Sequence, residues 1–167
     1  MDESSAQAEW RRWLDDHASR FLLFARQKAR SEADAQDLVQ EAILEAAQRG
    51  GKGLPPPLAA VYATIHRRAI DWARAEDRRL GRELAAHDDT PQAWFDSTVE
   101  ERERANLVQS AMSRLPSIYR EVVTLKIWAG LTFAEIADAL GIPPNTAASR
   151  YRYGLEELRK LTREVVL

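Results

Sequence analysis

The segment Leu131 to Gly154, LTFAEIADALGIPPNTAASRYRYG, sets two helical patterns side by side with little more than Gly141, Pro143 and Pro144 between them. Thr132 and Glu135 have the T-x-x-E spacing of a capping box, so a helix opens there and closes at Gly141. A second helix starts at Pro143 or Pro144, where a proline is tolerated because its missing N–H falls in the first turn. Ala137, Gly141 and Ala147 are small where two helices must approach, and Ile136, Leu140 and Ile142 are their apolar neighbours. A glycine that takes the sharp turn and small residues that seat one helix on the other give a helix-turn-helix corner. In that pattern the second helix commonly enters the DNA major groove. Here its core stripe is Ala147, Tyr151, Gly154, Leu155 and Leu158, which leaves Asn145, Thr146, Ser149, Arg150, Arg152 and Tyr153 on the surface. Arginines and short polar side chains are the groups that bind phosphates and base edges. The competing reading is a plain helical hairpin with a solvated face.

The rest of the chain also reads as helix. From Glu9 to Arg30, Trp10, Trp13, Leu14, His17, Phe21, Phe24 and Ala25 recur at three- and four-residue spacing. Ser31 and Asp34 form an S-x-x-D box that opens a helix to about Gln48, with Ala35, Leu38, Val39, Ala42, Ile43 and Ala46 as its apolar stripe. GGKGLPPP breaks that pattern. A third helix covers Leu58 to Leu80 and buries Leu58, Val61, Tyr62, Ile65, Ala69, Trp72 and Ala73. Periodicity resumes near Ala105 with Leu107, Val108, Ala111, Met112 and Leu115; Pro116 marks a boundary, and a further helix reaches Ala129 before Gly130. No strand pattern or internal repeat stands out. The expected fold is all-α, with two small helical domains at 7–82 and 105–167 joined by an acidic linker at 83–104.

Charge is distributed in blocks, although the net charge is only −2 over 167 residues. His66 to Arg82 holds six arginines against three acids, whereas Glu83 to Glu103 holds seven acids against one arginine. Fields act within a Debye length, so a short basic helix meets phosphate even in a slightly acidic protein. The chain has no cysteine, which excludes disulfide scaffolds, cysteine-based zinc sites and thiol catalysis and fits a reducing cytoplasm. No apolar run approaches membrane-spanning length, and MDESSAQAEWRRW lacks the apolar core of a signal peptide. His17 lies on an apolar stripe, and His66 and His87 have no second histidine at metal spacing. No nucleophile motif or glycine-rich phosphate cradle is present, so a small all-helical hydrolase has little support.

The stretch LPSIYREVVTLKIWAGLTFAEIADALGIPPNTAASRYRYGLEELRKL resembles the promoter-reading C-terminal domain of extracytoplasmic-function (ECF, group IV) sigma factors of bacterial RNA polymerase. SEADAQDLVQEAILEAAQ resembles the helix with which these factors grip the polymerase clamp, and RRAIDWARAEDRR resembles the helix that engages the −10 promoter element. The matches stand in the family's order and cover nearly the whole chain. Within the resemblance, Arg67 occupies the place of the usual asparagine, Ile65 is displaced by one position, and Ala147 replaces the more usual valine.

The resemblance implies a non-enzymatic promoter-specificity subunit with a region-2-like N-terminal domain and a region-4-like C-terminal domain, acting in the cytoplasm and on the nucleoid when polymerase-bound. Its expected partners are core RNA polymerase and promoter DNA, and the family admits an anti-sigma protein; no membrane insertion, cofactor or metal is expected. Asp37, Gln40, Glu41 and Leu44 would meet the polymerase clamp helices, where an apolar side chain ringed by polar ones suits docking. Arg67, Arg68, Arg74 and Arg78 would follow the single-stranded −10 element. Asn145, Thr146, Ser149, Arg150, Arg152 and Tyr153 would meet the −35 element. The linker's charge either imitates phosphate in a polymerase channel or simply keeps the tether soluble. A stand-alone helix-turn-helix regulator would explain the C-terminal half and leave the N-terminal matches idle.

Overall fold

The computed structural model describes residues 2–51, 53–80 and 102–166. Seven helices account for its regular structure: α1 (Glu3–Arg26), α2 (Glu32–Gly50), α3 (Leu58–Leu80), α4 (Arg102–Arg114), α5 (Ser117–Ile127), α6 (Phe133–Leu140) and α7 (Pro144–Val166). They form two compact units, α1–α3 and α4–α7. The expected linker, 83–104, lies outside the described residues except for 102–104, which open α4. No described helix is long and apolar enough to cross a membrane.

In the first unit each helix packs on the other two. Phe21 and Phe24 from α1, Leu38 and Ala42 from α2, and Val61, Tyr62 and Ile65 from α3 are buried at its centre. Tyr62 meets the rings of Phe21 and Phe24 edge-on at 5.0 and 5.5 Å, the geometry favoured by opposed ring quadrupoles. Burial pushes its phenol up from the ordinary tyrosine value. Buried Thr64 returns its hydroxyl to the Ala60 carbonyl at 2.9 Å, so α3 carries that polar group inward without an orphan.

Two boundaries differ from the periodicity. The first helix starts at Glu3 rather than Glu9 and ends at Arg26 rather than Arg30. The N–H groups of Lys28 and Ala29 both turn back to the Ala25 carbonyl, and the Arg26 guanidinium grips the Glu32 carboxylate with two 2.8 Å bonds. Those contacts fold the chain towards α2, which Ser31 caps through its hydroxyl and the Asp34 N–H at 3.1 Å. Ala73, expected in the core, is exposed, because α3 runs on beyond α1 and α2; from Ile70 to Arg79 only Trp72 and Glu76 are even half-covered.

In the second unit α7 is the common partner, touching α4, α5 and α6. Ala111, Met112, Leu115, Val122, Val123, Leu125, Leu131, Ile136 and Ala147 form its core. Gly154 makes the α5–α7 crossing close: a Cβ there would stand 2.8 Å from Val123 Cγ2 and 3.3 Å from Tyr119 Cβ. Leu107 and Val108 are exposed, contrary to the apolar stripe, because only the last turns of α4 reach the core. Where α4 ends, Arg120 of α5 reaches back across Pro116. Its guanidinium donates to the carbonyls of Met112 (2.8 Å), Ser113 (3.0 Å) and Leu115 (2.7 Å), at a helix end where Pro116 offers no N–H to continue the ladder.

Candidate functional site

The corner between α6 and α7 forms as its sequence dictates. Thr132 Oγ1 accepts from the Glu135 N–H at 3.1 Å, and Glu135 Oε1 accepts from the Thr132 N–H at 3.0 Å, completing the reciprocal box. Gly141 closes α6 with φ at 67°, a left-handed conformation that a Cβ would strain. The Ile142 N–H then bonds the Ala137 carbonyl at 3.0 Å, and Pro144 begins α7. Ala147 is fully buried in the angle between the helices.

On α7 the six residues expected at the surface do not share one environment. Asn145, Arg152 and Tyr153 are exposed, whereas Thr146, Ser149 and Arg150 are half-buried. Arg150 follows Ala147 by three residues and precedes Gly154 by four, so it flanks the core stripe. Arg152 lies over its neighbour's ring, 5.1 Å from the Tyr153 centroid, and that ring is tilted against Tyr119 at 6.4 Å. The stack steadies a guanidinium that would otherwise sample many rotamers. Behind the corner, Lys126 sits 4.5 Å above the Phe133 ring and donates to the Leu131 carbonyl at 3.2 Å. Sequence reasoning passed over both Lys126 and Arg120, whose hydrogen bonds reach outside their own helix and leave no periodic trace.

The first unit carries two further groups. Along α2, Leu44 is 62% exposed, with exposed Gln40 and Asp37 one and two turns before it. Glu41 differs from these neighbours: it is half-buried and accepts from Arg68 Nη1 at 2.8 Å. Arg68 Nε also donates to Glu45 Oε2 at 2.8 Å, and Arg67 Nη2 and Arg49 Nη2 meet the other oxygen of the same carboxylate. The hydrogen bond from Arg68 and the nearby positive charges hold the Glu45 carboxyl below the ordinary glutamate value.

The four arginines expected at one nucleic-acid surface are therefore in two states. Arg67 and Arg68 are paired with α2, while Arg74 and Arg78 are exposed on the projecting end of α3, with no hydrogen bond or ion pair among the described residues. Trp72, expected in the core, is half-buried and lines an open cleft with Lys28, Arg30, Asp34 and Glu76. The 2.6 Å ion pair of Arg30 with Glu76 ties the α1–α2 connection to that part of α3. The described residues contain no group of side chains suited to hold a metal ion.

The family model described as Sigma-70, region 4 matches residues 105–158, which span α4 through most of α7. The chain is 28% identical to the ECF RNA polymerase sigma factor SigL of Mycobacterium tuberculosis, over 97% of this chain and 94% of the relative. It is 35% identical to the ECF RNA polymerase sigma factor SigK of Mycobacterium ulcerans, over 62% of this chain and 57% of that protein. Among solved structures, the sigma factor RpoE of Bartonella quintana, in complex with the anti-sigma factor NepR, shares the fold with a TM-score of 0.66. That match has 18% identity and covers 92% of this chain and 96% of RpoE. The capped α6–α7 corner, the three-helix unit before it and these relatives agree: the chain belongs to the extracytoplasmic-function family of RNA polymerase sigma factors.

Proposed function

We propose that this sigma factor joins core RNA polymerase through α2, lays α7 on the −35 element and uses α3 to hold the opened −10 element. The observation that carries the reading is α7 itself: Asn145, Arg152 and Tyr153 stand exposed immediately behind a rigid, fully capped corner. A helix held that way can seat in a major groove without ordering itself first, which lowers the entropic cost of binding. On α2 the exposed Leu44 beside Asp37 and Gln40 supplies an apolar anchor with a polar rim. On α3 the projecting Arg74 and Arg78 offer cations to a single-stranded backbone. The region assignments are then 7–82 for the region-2-like part, 83–104 for the tether and 105–167 for the region-4-like part. An anti-sigma protein is a further proposed partner, since RpoE is solved with one. The site of action is the cytoplasm, and no step requires a catalytic residue.

The test is run-off transcription with core polymerase on a library of genomic fragments. Discrete start sites that depend on the added chain, preceded by a shared upstream and −10 sequence pair, are the expected result. A chain that binds duplex DNA but leaves core polymerase without new start sites would make it a stand-alone regulator instead.

A further inference from the structure

Glu45 is the meeting point of three guanidiniums, those of Arg49, Arg67 and Arg68, and Arg68 is shared with Glu41. Two carboxylates thus face three cations on one surface of the first unit, which leaves one net positive charge where three stand. Glu45 is 20% exposed and its arginine partners on α3 are 44% and 33% exposed, so water and ions reach the cluster while the pairs persist. Phosphate makes the same bidentate contacts with guanidinium as carboxylate does. A nucleic-acid backbone approaching this part of α3 therefore competes with Glu45 for the same donors. Arg74 and Arg78, two and three turns further on, face no such competitor among the described residues.

Resting on the reading of α3 as the −10 helix, we propose that Glu45 is a built-in phosphate competitor that holds Arg67 and Arg68 back from single-stranded DNA in the free chain. Arg74 and Arg78 make the first contacts, and Arg67 and Arg68 exchange carboxylate for phosphate only once the strand is already held. Because Glu41 lies between Asp37 and Leu44 on α2 and also binds Arg68, a partner docked on that face draws Glu41 away and loosens Arg68. The device limits binding to stray single strands and couples strand capture to polymerase docking.

The experiment uses the full-length chain and a fluorescent oligothymidylate, with affinity measured across a salt series. Glu45→Gln keeps the size of the side chain and removes its charge. It should tighten binding by about three- to tenfold, the range expected for releasing partly exposed ion pairs. It should also steepen the salt dependence, by about 0.7 in logarithmic slope for each added phosphate contact to a single strand. Glu41→Gln, which releases only one bond to Arg68, should give a smaller gain in the same direction and serves as the probe if Glu45→Gln fails to fold. Unchanged affinity and slope in folded variants overturn the proposal. So does weaker binding, which would mean that Glu45 orients the arginines for DNA. The parent reading is tested separately by open-complex formation with polymerase and Arg74→Ala/Arg78→Ala. If that double variant opens promoters normally, α3 is not the strand-binding helix, and both ideas fall together.

Discussion

Replacing Gly154 with alanine tests whether the closeness of α5 and α7 is a designed constraint. The added Cβ would stand 2.8 Å from Val123 Cγ2, inside van der Waals contact, and Val123 is itself fully buried. Overpacking of that kind costs about 1–3 kcal/mol. Alanine also gains about 1 kcal/mol over glycine in a helix interior, so the net expectation is a loss of about 1 kcal/mol. Removing the obstacle changes the sign. Val123→Ala alone should cost about 2 kcal/mol through lost contact and a cavity. In that background Gly154→Ala should become stabilising by about 1 kcal/mol, giving a favourable coupling of about 2 kcal/mol, within the range found for touching residues. The assay is urea unfolding of the full chain, read by hydrogen exchange at α5 and α7 amides so that the first unit does not contribute. If Gly154→Ala stabilises the native background, or the two changes add without coupling, the close approach is not what the glycine is for.

The other perturbations address the proposed surfaces. Replacing Arg152, stacked on Tyr153, with alanine should cost about 1–3 kcal/mol in −35 duplex affinity if it reads a base, measured by titration against base-substituted duplexes. Arg150→Ala, from its half-buried flank, should weaken all sequences alike and flatten the salt slope by about one contact. Asp37→Lys with Leu44→Ala should abolish co-purification with core polymerase while shifting stability by no more than about 0.5 kcal/mol, since both side chains are exposed. Glu41 is best left out of that pair because its bond to Arg68 would confound the melt. Glu45 has a depressed folded-state pKa, so its contribution is present above the ordinary glutamate value and is lost as the pH falls through the folded value. Stability should decline across that acid limb, and Glu45→Gln should flatten it in pH-resolved denaturation.

What the sequence made legible was local. Ser31, the Thr132–Glu135 box and Gly141 announce helix ends because capping depends on residues within one turn. Ala147 and Gly154 fall on the core stripe because helical spacing alone sets the face. Contacts between distant positions were not legible. Arg67 and Arg68 read as free cations, and their pairing with Glu45, more than twenty residues away, depends on how α2 and α3 lie together. Leu107 and Val108 were placed inside because periodicity gives a face but not the length of its partner. Ala73 and Trp72 failed for the same reason at the end of α3. The candidate surfaces were found by residue type; which of their charges are already engaged required the fold.

The reach of Arg120 across Pro116 has a bearing on the order in which the protein comes into being. Synthesis runs from the N-terminus, and domains fold as units while the chain emerges. Every helix of the first unit finds its neighbours within 3–80, so that unit can complete itself early. α4 is different: its terminal carbonyls wait for Arg120, and its apolar residues wait for α7, which emerges some thirty residues later. The cap arrives with α5, but until α7 emerges α4 lacks its core. The nascent chain thus carries a finished first unit while the second is still an open set of segments. On the ribosome, the proposed contact with polymerase becomes available before the proposed contact with duplex DNA.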